Sequence, residues 1–131
     1  MRSTRLPSGC AGPPPVPGCA VVSDALCWQM VAQAPVAVPP VAFEVLDLAP
    51  ADAPEMLALA TLTKPGPFFA RTPQISQFIG VKVNGVLVAM AGERMRPDGH
   101  SELSGVCTLP DHRGKGYAAA LMRRIAARIQ A

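Results

Sequence analysis

Asn84 and Gly85 stand between two Val-rich runs in "FIGVKVNGVLVAMAGERM", and this pair constrains the fold more than any other feature of the chain. An Asn-Gly pair accepts the two successive positive φ angles of a type I′ turn, whose twist matches that of antiparallel strands. The stretch predicts a tight hairpin. Pro97-Asp98-Gly99 then marks another turn, and "SELSGVCTL" supplies a further strand that pairs back on the last. A meander of three antiparallel strands leaves two sheet faces that need covers.

The flanking sequence supplies them. In "VAFEVLDL" Phe43, Val45 and Asp47 point one way and Glu44, Leu46 and Leu48 the other, which predicts a first strand. In "DAPEMLALATLT" Asp52 and Glu55 have capping-box spacing and Pro54 lies in the first turn, where its missing N–H is harmless. Met56, Leu59, Ala60 and Thr63 share a face of the predicted helix, which "KPGP" stops. Thr72 before Pro73 is a weaker cap and predicts at most one short helix. From Tyr117 to Ile129 the residues Leu121, Met122, Ile125 and Ile129 form one stripe, with Arg123, Arg124 and Arg128 mostly away from it. The order is strand, helix, short helix, three meandering strands, helix: an α/β (α+β) domain with a mixed, mostly antiparallel sheet flanked by helices.

This domain opens at residue 41 and runs to 131. Residues 1–40 form a Pro-rich segment, disordered or the remnant of a preceding half-domain; Met1 to Pro17 give no apolar period to bury. Within it "CAVVS" and "CWQMVA" are spaced to pair as a hairpin before Pro35, Pro39 and Pro40 break the pattern.

Composition narrows the function classes. A net charge of +3 without a basic stripe argues against nucleic acid or a membrane surface as partner, and Arg123, Arg124 and Arg128 lack interleaved aromatic residues. Cys10, Cys19, Cys27 and Cys107 fit neither paired metal-ligand spacing nor a disulfide framework, so no metal is expected and Cys107 reads as a buried, inert thiol. No apolar run reaches membrane-spanning length, and the first residues lack the apolar core of an export signal. A cytoplasmic protein is expected.

The chemistry concentrates in "LPDHRGKGYAAALM", where a strand ends and a helix begins. The first N–H groups of a helix lack internal partners and carry the positive end of its dipole, so a phosphate suits this position. Gly114 and Gly116 clear the backbone for close approach. Neither the Walker pattern nor the dinucleotide fingerprint is present.

Arg113 to Ala118, "RGKGYA", resembles the [QR]-x-x-G-x-[GA] signature of the GNAT superfamily of N-acetyltransferases, which in that family joins the fourth strand to the third helix. The element order read above agrees. The resemblance covers about Val41 to Ala131, and "VCTLPDHRGKGYAAALM" is similar to the branch containing the C-terminal half of glycine N-acyltransferases. It implies transfer of an acetyl group from acetyl-CoA to an amine acceptor, with the amides of Arg113, Gly114, Lys115, Gly116, Tyr117 and Ala118 cradling the CoA pyrophosphate. Main-chain groups of Val106, Cys107 and Thr108 would hydrogen-bond the pantetheine arm and polarise the thioester. Glu102, eleven positions before Arg113, stands where the histone-acetylating branch carries its general base; a solvated Glu at a strand start is the alternative.

Of the remaining candidates, His112 reads as a solvated loop side chain, with contact to a CoA phosphate as the alternative, and Arg113 and Lys115 are better placed for phosphates. Glu93 and Arg94, late in the preceding strand, read as an outward-facing charged pair, with the lining of an acceptor cleft as the alternative, and Met90, Met95 and Met122 as core filler. Phe68 and Phe69 suggest a loop beside an acceptor cleft, although neither the acceptor nor the oligomeric state is readable. The resemblance also implies a fifth strand, a fourth helix bearing an acid Tyr, and closing strands. The chain is expected to be truncated after the third helix and to lack these, so a non-catalytic or vestigial acyl-CoA-binding fragment is the alternative function.

Overall fold

The computed structural model describes residues 2–4, 16–22, 29–32 and 34–131, and divides into two compact units, Met1–Pro35 and Val36–Ala131. In the first unit strand β1 (Arg2–Thr4) pairs antiparallel with β2 (Gln29–Val31), Ser3 opposite Met30. The hairpin expected between "CAVVS" and "CWQMVA" is therefore not what forms: Gln29–Val31 takes its partner from the N-terminus. Val21 and Val22 stay exposed, with no face to cover them. Residues 23–28, including the expected turn, lie outside the described residues.

The second unit carries β3 (Leu46–Asp47), helix α1 (Ala53–Thr63), β4 (Phe78–Val83), β5 (Val86–Glu93), β6 (Leu103–Thr108) and helix α2 (Tyr117–Gln130). Short 3-10 turns at Pro50–Asp52, Thr72–Gln74 and Pro110–His112 connect them. The sheet runs β3-β4-β5-β6, each pair antiparallel. Asn84 and Gly85 take φ of 51° and 79° at the β4–β5 turn, the two positive angles a type I′ turn needs.

Each helix covers one face. On the α1 side Met56, Leu59 and Ala60 pack with Phe78, Leu87, Met90 and Cys107. On the α2 side Leu121 and Ile125 pack with Ile79, Val81, Val88, Ala89 and Ala91. Full burial of a side chain such as Leu121 contributes about 1.5–3 kcal/mol. Met90 is core as expected, whereas Met95 is exposed and Met122 only half-buried.

Two local expectations are modified by tertiary partners. The first strand shortens to two residues, yet Phe43 and Val45 still pack on the α2 face and Leu48 on the α1 face, so the alternation holds without the ladder. Asp52 is the N-cap of α1 but makes no cap hydrogen bond: its carboxylate accepts from the Ala49 N–H and from Lys82 Nζ, 2.7 and 2.8 Å away. Glu55 likewise turns to Lys82 and to the Leu87 N–H. The expected capping box is thus spent on tying α1 to the β4–β5 hairpin. Lys64, at φ 50°, ends the helix, its N–H bonded to the Ala60 carbonyl.

Candidate active site

Strand β6 organises the site because an anion-receptive turn follows one end and a charged cluster precedes the other. Its six residues span about 20 Å. Beyond Thr108 the Leu109 N–H still bonds to the Val88 carbonyl, then Pro110–His112 turn and Arg113 is extended. Gly114 and Gly116 follow at φ 75° and 80°, left-handed conformations that a side chain would strain. Gly116 is the N-cap of α2 and offers no side-chain cap; its carbonyl takes the first helical bond from Ala120. The N–H groups of Tyr117, Ala118 and Ala119 therefore have no helical acceptor. They border a concavity of about 230 Å³ lined also by Thr108, His112 and residues 113–116.

Side chains contribute less here than backbone. Lys115 and Arg113 are exposed, and Arg113 Nε reaches back to the Thr108 carbonyl at 3.3 Å. The Tyr117 ring packs edge-on against Phe43, centroids 4.7 Å apart, so it belongs to the α2-side core. His112 differs from the solvated residue expected, since its Nδ1 is buried without a hydrogen-bond partner.

Val106, Cys107 and Thr108 lie on β6 as expected, with Val106 packed toward α2 and Cys107 buried toward α1. Burial pushes the Cys107 thiol up, partly offset by hydrogen bonds to Thr63 and the Met90 backbone, so it is a poor nucleophile. The sequence reading missed a bulge. Met90 pairs with Cys107 but Gly92 with Ser104, which sets Gly105 and Val106 against the single Ala91. Gly105 sits at φ 64°, and a Gly inside a strand pattern was the available signal.

At the other end Glu102 meets Arg94. Arg94 Nη2 lies 2.6 Å from Glu102 Oε1 and Nε 3.1 Å from Oε2, a two-pronged pair about a third exposed. Glu102 holds the Arg94 guanidinium above even its ordinary high pKa. Glu93, expected to face outward, is instead the buried charged residue among the described ones. Ser101 Oγ donates to its carboxylate at 2.7 Å, Arg96 lies 3.3 Å away, and Ser76 donates to its carbonyl. Burial is tolerated because these partners replace water.

A family model described as the acetyltransferase (GNAT) family matches residues 43–131. The chain belongs to the GNAT acetyltransferase family. A crystal structure of a GNAT-family protein from Novosphingobium aromaticivorans is 46% identical, superposes with a TM-score of 0.70, and aligns over 76% of this chain and 44% of its own. The ribosomal-protein-alanine N-acetyltransferase of Brucella melitensis biovar Abortus is 25% identical over 68% of this chain and 72% of its own, with a TM-score of 0.56. A GCN5-related N-acetyltransferase from Kribbella flavida, 24% identical over 72% of this chain and 38% of its own, shares the fold at a TM-score of 0.56. The GNAT chain described here thus spans less than half the length of the Novosphingobium and Kribbella proteins. No curated protein matches it. Among the described residues no cluster of His, Cys, Asp or Glu is arranged to hold a metal, and no helix is long and apolar enough to cross a membrane.

Proposed function

We propose that the chain transfers an acetyl group from acetyl-CoA to an amine acceptor, using residues 41–131 as the acetyltransferase domain and leaving 1–40 as a separate N-terminal segment. The carrying observation is the turn at the start of α2, where two left-handed glycines and three unpaired helical N–H groups border one concavity. GNAT proteins generally use acetyl-CoA, and this turn suits its pyrophosphate: amides and the helix dipole attract the anion and no side chain obstructs it. We assign the cradle to Arg113, Gly114, Lys115, Gly116, Tyr117 and Ala118. The pantetheine arm would run along β6 against the main chain of Val106, Cys107 and Thr108, toward the bulge at Gly105. The wording "VCTLPDHRGKGYAAALM" supports kinship with the glycine N-acyltransferase branch.

Glu102 is the proposed proton acceptor. An ammonium acceptor must lose a proton before its nitrogen can attack the thioester carbonyl carbon. Glu102 takes that proton through water, the C–N bond forms as the C–S bond breaks, and the thiolate leaves with the second amine proton.

One observation favours the second reading, an acyl-CoA-binding module without turnover. Both Glu102 oxygens are engaged by Arg94, and the Tyr117 ring, beyond the other end of β6, is committed to the core. The two readings separate experimentally. Acetyl-CoA should raise the melting temperature under either, because a ligand bound only by the folded state stabilises it by mass action. Amine-dependent thiol release from acetyl-CoA is expected only of the transferase; stabilisation without release over a broad amine panel would establish the binding module.

A further inference from the structure

The cluster that precedes β6 bears on the acceptor. Leu103 packs toward α2, so alternation turns the neighbouring Glu102 to the opposite face. That face carries the Phe78 ring, which lies so close to Gly92 and Gly105 that a Cβ at either would come within 2.5 and 3.0 Å of it. Phe68 stacks edge-on against Phe78, centroids 5.6 Å apart. The β5–β6 ladder continues past Glu93 through Arg94 N–H to the Glu102 carbonyl, which sets Arg94 opposite Glu102 on this sheet face.

Arg94 presents a planar fork there, and what fills it is informative. Nε and Nη2 each hold one oxygen of the same carboxylate, the two-point geometry by which guanidinium groups recognise carboxylates. Neighbouring acid does not compete, because Glu93 is turned away and satisfied by Ser101 and Arg96. The pair is about a third exposed, so solvent screens it and a carboxylate from solution reaches the fork.

We propose that Arg94 is the docking point for a carboxylate on the acceptor, so that the chain acts on small amines that also carry a carboxylate, with Glu102 filling that point in the free protein. An arriving carboxylate takes the fork and releases Glu102 beside the acceptor's ammonium group. Glu102 then accepts one ammonium proton; the nitrogen forms its bond to the thioester carbon of the acyl-CoA, the C–S bond breaks, and CoA leaves as the thiol with the second proton. This rests on the acyltransferase reading, and it converts the ion pair that argued against turnover into an acceptor-triggered release.

The test has a binding arm and a turnover arm. Binding follows the Arg94 Nε–H resonance during titration with 4-methylpentanoate, which is leucine without its amine, and with neutral 4-methylpentanamide. The acid should shift the resonance saturably and the amide should not. Arg94→Gln should abolish acid binding, whereas Glu102→Gln should tighten it by up to about fivefold by removing the internal competitor. A merely structural ion pair would make the two variants behave alike.

Turnover compares leucine with leucinamide, whose amine is the more easily deprotonated, so intrinsic reactivity favours the amide. Leucine should nevertheless be preferred, and Arg94→Gln should lower its kcat/KM about 10- to 100-fold while leaving that of the amide equal or raised, because losing Arg94 also frees Glu102. Arg94→Lys, which keeps charge without the fork, should fall between. Saturable acid binding at Arg94 without any turnover would keep the site and remove the transferase reading. Turnover with no preference for the acid, or no acid-specific shift at Arg94, would overturn the inference and leave the transferase reading intact.

Discussion

If the phosphate cradle is made of backbone, replacing Gly116 by Pro should cost far more CoA affinity than replacing Lys115 by Ala. Gly116 sits at φ 80°, and proline fixes φ near −65°, a swing of about 145° that re-aims the adjoining amides. The substitution also deletes one N–H. A hydrogen bond to a charged group contributes about 1.5–3 kcal/mol, so losing this donor alone should weaken binding about 10- to 150-fold. Lys115 is exposed, and an exposed charge contact is worth about 0.2–1 kcal/mol, at most about fivefold. Gly116→Ala is the control: no atom lies within 4 Å of the added Cβ, and the N–H remains. It should lose about 1–2 kcal/mol of stability to the left-handed penalty and, because the N–H remains, lose less CoA affinity than Gly116→Pro. Calorimetric titration of the three variants with CoA, with thermal melts alongside, measures both quantities. A larger affinity loss for Lys115→Ala than for Gly116→Pro would refute the backbone account.

Three further outcomes follow from the structure. Gly92→Ala would bring a methyl group within 2.5–2.8 Å of three Phe78 ring atoms, so it should destabilise by about 1–3 kcal/mol, and an unchanged thermal midpoint would mean the ring is not so held. The hydrogen bond from Lys82, then that from the Ala49 N–H, hold the Asp52 carboxyl below its ordinary pKa. Its contribution is complete above the unfolded value of about 3.9 and lost as pH falls through the lower folded value, so urea melts of Asp52→Asn should lose less stability than the parent between about pH 4 and pH 2. Glu102→Gln should lower kcat about 100-fold where the acceptor amine is protonated, with the deficit shrinking at higher pH and acetyl-CoA affinity preserved; a deficit independent of pH would deny it proton removal.

The parts of the fold that were legible in sequence are those specified locally. Asn84-Gly85 sets its own turn, Lys64 and "KPGP" end α1, and the stripe of Leu121 and Ile125 faces the sheet whatever else happens. The cradle was legible for the same reason, because its glycines and helix start are contiguous. Features set by distant partners were not. Asp52 and Glu55 have capping-box spacing, but Lys82 and the Leu87 N–H, about thirty residues away, claim both carboxylates. Glu93 looks solvent-facing until Ser101 and Arg96 fold over it, and the pairing of Arg94 with Glu102 depends on the β5–β6 register. Strand β2 pairs with a segment more than twenty residues before it, a distance over which local turn residues specify no partner.

The central claim, that the start of α2 is an acyl-CoA phosphate cradle, is tested most directly by titrating the isotopically labelled chain with CoA while following backbone amide resonances. The account predicts that the largest saturable shifts fall on Gly114 to Ala119, with smaller ones along Val106 to Thr108, and that pantetheine, which lacks the pyrophosphate, leaves the α2 amides unmoved. CoA shifts confined to other regions, or equal effects of CoA and pantetheine at the start of α2, would contradict it.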